Sequence, residues 1–138
     1  MQTYTIRDLS LKYGLPTSTL RYYEEIGLLN NVCRTKQGAR IYTQKHISKL
    51  DGILCFKRAG LPIAKILEFY QYEADITAHT DDIISMLTSH KEDIQKQISE
   101  LNNVLEHIQE KILYYTKVKE ALETGAEIPT WDTIIGNK

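Results

Sequence analysis

The sequence predicts a mainly α-helical chain: two short helices, a small β-hairpin, two further helices and then one long helix of coiled-coil type. Three observations predict it. Gly and Pro divide roughly the first 60 residues into short helical or extended pieces. From Ile84 to Leu122 the apolar residues recur in alternating steps of three and four, with no Gly or Pro between Ile83 and Thr124. The charge is also divided. Residues 1–60 hold ten Lys and Arg against four acids, whereas residues 61–138 hold seven against fourteen. A basic half joined to an acidic half suggests that only the first half meets a polyanion.

Thr5 can cap a first helix, because Asp8 lies three residues on and favours its positive end. That helix runs through Leu9 to Tyr13 and stops at Gly14. Leu15 and Pro16 impose an extended break, after which Thr17 or Ser18 can cap a second short helix ending before Gly27. Two short helices joined through Gly and Pro form a helix-turn-helix candidate. Val32, a Lys-Gln-Gly turn and Ile41-Tyr42 then read as a hairpin, or wing, with basic residues on both arms and at its tip. Thr43 caps a third helix over 44–58, whose Ile47, Leu50, Ile53 and Leu54 share a face. Gly60 ends it, and Pro62 suits the first turn of a fourth helix reaching Tyr72.

The long helix carries Ile84, Leu87, Lys91, Ile94, Ile98, Leu101, Leu105, Ile108, Ile112, Tyr115, Lys119 and Leu122 along one seam. At about 1.5 Å per residue it spans roughly 60 Å, too long to bury its stripe against about 70 residues of domain. A second copy of the same helix is the simplest cover. Lys91 and Lys119 interrupt the seam and either fix its register or snorkel near its ends. The organisation expected is a DNA-binding domain at 1–72, a connector at 73–79, the dimerisation helix at 80–123 and a short tail at 124–138.

The chemistry of the first half suits nucleic acid. The N-terminal part of a helix can reach base edges in the major groove. Thr17, Ser18 and Thr19 are small hydrogen-bonding residues at that end, and Arg21 can fork onto phosphate or guanine. Tyr22 or Tyr23 can donate to phosphate while its ring packs on sugar. Adjacent helical residues point about 100° apart, so one of the two tyrosines packs and the other reaches out. Arg34, Lys36, Arg40, Tyr42 and Lys45 make the wing a second contact directed mostly at phosphates. Thr5 completes the set of candidate DNA contacts. Glu24 and Glu25 can pair with neighbouring basic residues, while Ile26, Leu28 and Leu29 anchor the helix to the core.

The stretch "TIRDLSLKYGLPTSTLRYYEEIGLL", followed by Arg34 and "GARIY", closely resembles the MerR family of winged-helix transcriptional regulators. The resemblance covers residues 4–70. It implies a winged helix-turn-helix DNA-binding domain followed by a long antiparallel coiled-coil dimerisation helix. It further implies a homodimer on a two-fold operator between the two promoter elements read by RNA polymerase, where the dimer bends and untwists the spacer. Two departures bear on the wing. Ala39 stands where the family commonly has an aromatic residue, and Asn30-Asn31 where proline is common.

Family effectors are usually read after the coiled coil, yet residues 124–138 contain no cysteine or histidine. Metal sensing needs soft ligands there, so no metal and no cofactor are expected. His46, His79, His90 and His107 are dispersed and read as solvated surface residues. Trp131 with Ile134 and Ile135 packs back on the body or closes a small apolar pocket for a hydrophobic ligand. Cys55 lies about 140° from Leu50 on the third helix; Arg58 beside it favours a thiolate and Asp51 opposes one. Its setting, "CFKRAG", resembles the cysteine-bearing helix of a metal-free MerR branch that answers aldehydes, other electrophiles or oxidants. Cys33 in the wing reads as a packing residue.

Three other classes fit the sequence less well, the first being a coiled-coil adaptor, which leaves the basic wing unexplained. An architectural winged helix without effector control does not need five heptads of seam. An enzyme using Cys55 lacks an accompanying histidine or acid constellation and a glycine-rich phosphate loop. No apolar run approaches the roughly 20 residues that cross a bilayer, and the N-terminus lacks an apolar secretion signal. The two cysteines form no disulfide framework. A reduced, cytoplasmic regulator with no membrane contact is the expectation.

Overall fold

Thr5 starts the first helix by a reciprocal capping box. Its Oγ1 accepts from the Asp8 amide at 3.0 Å, and its own amide donates to Asp8 Oδ2 at 2.8 Å. The computed structural model describes residues 1–136. Helix α1 spans Ile6–Tyr13 and is closed by Gly14 in the left-handed conformation, φ 63°. Helix α2 spans Thr17–Glu25. Thr17 was expected as a possible cap, but it is the first residue inside the helix, and no side chain caps this end. The proline is the reason: Pro16, at φ −58° and ψ 145°, turns the chain, and its carbonyl accepts from the Thr19 amide at 3.0 Å.

The wing is shorter than its apolar pattern suggests. Strands β1 (Cys33–Arg34) and β2 (Arg40–Ile41) pair antiparallel, Cys33 opposite Ile41 and Arg34 opposite Arg40. Val32 lies outside β1. Tyr42 instead pairs with Tyr4, exchanging both backbone hydrogen bonds at 2.8 and 2.9 Å. The N-terminal residues thereby lean on the wing, a pairing that no local sequence signal announces.

Helix α3 (Gln44–Arg58) is capped by Thr43, and α4 (Ile63–Glu73) begins after Pro62, which serves as its N-cap residue. Between these helices and α1–α2 lies one core: Leu9, Leu20, Tyr23, Leu28, Leu29, Tyr42, Ile47, Leu50, Ile53 and Ile66. Burying each such side chain contributes roughly 1.5–3 kcal/mol. Helix α5 (Ile76–Thr124) begins inside the segment expected to be connector; only Ala74 and Asp75 separate it from α4. The expected break survives as a kink at His79, φ −126° and ψ 17°, whose Nδ1 meets Asp82 Oδ2 at 2.9 Å.

Two of the four histidines correct the expectation of solvated surface residues. His46 and His90 are buried. His46 Nδ1 accepts from the Thr43 amide at 2.9 Å, so Nε2 carries the proton that goes to the Asn30 carbonyl at 2.7 Å. His90 packs its ring 5.8 Å from Phe56. A histidine without a nearby charge code reads as surface, and tertiary packing decides otherwise.

The chain divides into two units at His90. In the second, α5 ends at Gly125, φ 70°, and the Ala126 amide closes back on the Ala121 carbonyl at 2.9 Å. Tyr114 Oη donates to the Pro129 carbonyl at 3.0 Å, and Trp131 packs 5.3 Å from the Tyr114 ring. Thr130 caps the short helix α6 (Trp131–Ile134). The tail folds on α5, but the seam itself stays open: Ile98, Leu101, Leu105, Ile108, Ile112 and Leu122 are all exposed, Leu101 by 67%.

Candidate nucleic-acid interface

Helix α2 sorts its residues by the helical period. Leu20 and Tyr23 face the core; Ser18, Arg21 and Tyr22 face out; Thr17 and Thr19 are half-buried between them. The two tyrosines divide as the 100° step requires. Tyr22 is 46% exposed and Tyr23 2%. Tyr23 is therefore corrected from candidate contact to anchor: its Oη accepts from Lys57 Nζ at 2.9 Å, tying α2 to α3. Lys57 lies 34 residues away, and nothing local in the sequence marks it.

The wing is fastened to the same helix. Arg40 Nε donates to Glu24 Oε2 at 2.6 Å, with the side chains 21% and 25% exposed. Arg40 is consequently a half-buried strut rather than a freely extended cation. Arg34 Nη1 donates to the Gly38 carbonyl at 2.9 Å, which stiffens the wing tip while leaving the guanidinium exposed. Lys36 at the tip and Lys45 in the first turn of α3 are exposed. Thr5 is exposed, but its hydroxyl oxygen accepts the α1 cap bond.

Tyr42 is the second correction. It is fully buried, and its Oη lies among the core without a hydrogen-bond partner among the described residues. The two-residue strand and the bridge to Tyr4 turn its ring inward, where it meets His46 edge-on at 5.5 Å. Burial raises its pKa, as does Glu24, whereas Arg40, Arg21 and Arg34 pull it down. The structure leaves Ser18, Arg21, Tyr22 and Arg34 exposed, joins the wing to α2 through Arg40 and Glu24, and withdraws Tyr23 and Tyr42 into the core.

Cys55 is free and exposed on α3, as is Cys33 on β1; Cys33 is thus not the packing residue expected. The neighbour of Cys55, Phe56, sits in an aromatic cluster with Phe69 at 5.0 Å, Tyr70 at 6.4 Å and His90 at 5.8 Å. Lys49, two turns earlier, lies 4.8 Å over the Tyr70 ring, and burial lowers its pKa. Among the described residues no group of three or more His, Cys, Asp and Glu is placed to hold a metal ion. Nor is any described helix long and apolar enough to cross a membrane.

Comparison with known proteins agrees with this geometry. Residues 4–73 match the model of the MerR HTH family regulatory protein, and residues 43–111 match that of MerR, DNA binding. An uncharacterized HTH-type transcriptional regulator of Haemophilus influenzae is 33% identical over 121 residues, covering 85% of this chain and 87% of the relative. Among solved structures, HiNmlR, a MerR family regulator lacking the sensor domain and bound to promoter DNA, superposes with a TM-score of 0.78. It is 29% identical, and the match covers 91% of this chain and 92% of that one. A MerR family transcriptional regulator from Bacillus thuringiensis superposes with a TM-score of 0.68 at 28% identity, covering 80% and 97%.

Proposed function

The chain belongs to the MerR family of helix-turn-helix regulatory proteins, and from that premise we propose that it binds promoter DNA as a homodimer and controls transcription by distorting the spacer. The observation that carries the reading is the face formed by Ser18, Arg21 and Tyr22 on α2, with the wing held beside it through Arg40 and Glu24. Arg21 and Tyr22 enter the groove, and Arg34, Lys36 and Lys45 contact flanking phosphates. The solved complex of HiNmlR with promoter DNA supports a DNA partner of this kind.

The open seam of α5 supports the dimer. Apolar side chains at Ile98, Leu101, Leu105 and Ile108 are about half or more exposed in one chain, and an antiparallel second copy covers them. Two reading heads held at a set distance can bend and untwist the duplex between them, bringing the two promoter elements into line for RNA polymerase.

The effector acts at Cys55 as an electrophile or oxidant. The thiol is exposed, and the adjacent Phe56 packs on His90 of α5, so an adduct there biases α3 against the dimer helix. Footprinting of the promoters nearest its gene tests the reading. A protected two-fold site about 20 base pairs long is expected, and absence of protection at every such promoter refutes it. Cys55→Ala is expected to keep the footprint and lose induction by electrophiles in a reporter assay; an unchanged response removes Cys55 from the mechanism.

A further inference from the structure

The seam of α5 reads the same in both directions about Asn103, because its steps of three and four alternate evenly from Ile84 to Leu122. Position alone therefore permits two copies to pair either way. Charged flanks usually choose the orientation of a coiled coil through ion pairs, but here Thr88, Gln95, Asn102, Gln109 and Thr116, which follow alternate seam residues, carry no charge, and Lys111 on the opposite flank has no acid on either flank to meet. The choice falls to the two seam lysines. In a parallel, in-register pair, Lys91 meets Lys91 and Lys119 meets Lys119, placing like charges together in two partly desolvated layers. In an antiparallel pair centred on Asn103, Lys119 lies along the apolar side chain of Leu87 of the partner subunit. Lys91 then meets Tyr115 of the partner subunit.

Tyr115 is suited to that meeting. It is 62% exposed. Its ring stands edge-to-face with Tyr114 at 5.1 Å, and Tyr114 is itself held by the tail through the Pro129 carbonyl and Trp131. We propose that Lys91 and Tyr115 form a reciprocal cation–π pair between two copies of this chain and set the antiparallel register centred on Asn103, with the folded tail bracing Tyr115 through Tyr114. This rests on the homodimer reading and adds the residues that choose its orientation. Any shift by a heptad leaves seam residues uncovered at both ends and removes both pairs.

Disulfide trapping tests it in full-length protein carrying Cys33→Ser and Cys55→Ser. One tagged chain carries Ile94→Cys and a differently tagged, co-expressed chain carries Ile112→Cys. Oxidation is expected to link the two tags and to leave each variant, expressed alone, without self-linkage. Adding Tyr115→Leu keeps the seam apolar but removes the ring, and is expected to lower the ratio of mixed to self-linked product about tenfold; Lys91→Arg is expected to retain it. Sedimentation of the unmodified chain separates the two levels. A monomer overturns the homodimer reading itself. A dimer in which Ile94→Cys links to itself overturns the orientation, and a mixed product indifferent to Tyr115→Leu overturns the cation–π pair.

Discussion

Arg40 Nε lies 2.6 Å from Glu24 Oε2, joining the wing to the helix that carries Arg21 and Tyr22. The carboxylate that would repel a phosphate on its own is thereby neutralised, and it serves to aim the wing. Glu24→Gln keeps every cation in place and loosens the strut. It is expected to cost roughly 1 kcal/mol in urea unfolding and to weaken operator binding at constant salt dependence. Arg21→Ala is expected to leave stability within about 0.5 kcal/mol and to reduce the slope of log affinity against log salt by about one. Equal slopes for both variants would refute this division of labour.

Tyr22 and Tyr23 are adjacent and opposite in role. Tyr23→Phe removes the acceptor for Lys57 Nζ, and chemical denaturation is expected to report a loss of about 1 kcal/mol. Tyr22→Phe is expected to leave the unfolding midpoint unchanged and to weaken DNA binding several-fold. Reversal of the two phenotypes would assign the contact to the wrong tyrosine.

Gly52 is a notch for Tyr70. A Cβ added there meets Tyr70 Oη at 2.4 Å but the ring carbon Cζ only at 3.7 Å. Gly52→Ala alone is expected to destabilise the domain by about 1–3 kcal/mol through overpacking between α3 and α4. In a Tyr70→Phe background the clash is gone, and the same substitution is expected to gain the helix propensity of alanine, up to about 1 kcal/mol. Thermal unfolding of the four variants measures the coupling, and additive effects would refute the notch.

Burial pushes the Tyr70 phenol up to about 12, with smaller upward contributions from Glu73 and Cys55. Burial and Asp51 likewise raise Tyr13. A phenol kept neutral in the fold and free to ionise near pH 10 when unfolded contributes stability that is complete below pH 10. That stability is lost as the pH rises from about 10 to 12. Urea midpoints are expected to be level up to about pH 9.5 and to fall above pH 10. Tyr70→Phe is expected to make that alkaline fall shallower, and an unaltered fall would show that Tyr70 contributes nothing to it.

Much of the fold was legible because its signals are local. Thr5 with Asp8, the stop at Gly14, the helix over 44–58 and the alternation of steps along α5 each depend on residues within a turn or two of one another. The candidate surface was legible as a composition of cations and tyrosines around α2 and the wing. Its internal arrangement was not. The fates of Tyr23 and Tyr42 and the burial of His46 and His90 depend on groups 16 or more residues away or on a pairing as remote as Tyr4 with Tyr42.

The sequence by itself determined the family, the kind of element at each place and the need of the long helix for a covering partner, because helical period, caps and apolar spacing act at short range. Only the tertiary structure decided which tyrosine anchors α2, that Arg40 is spent on Glu24, and that the tail folds onto Tyr114. Those outcomes turn on hydrogen bonds and ring contacts between side chains that the chain brings together only when the core closes.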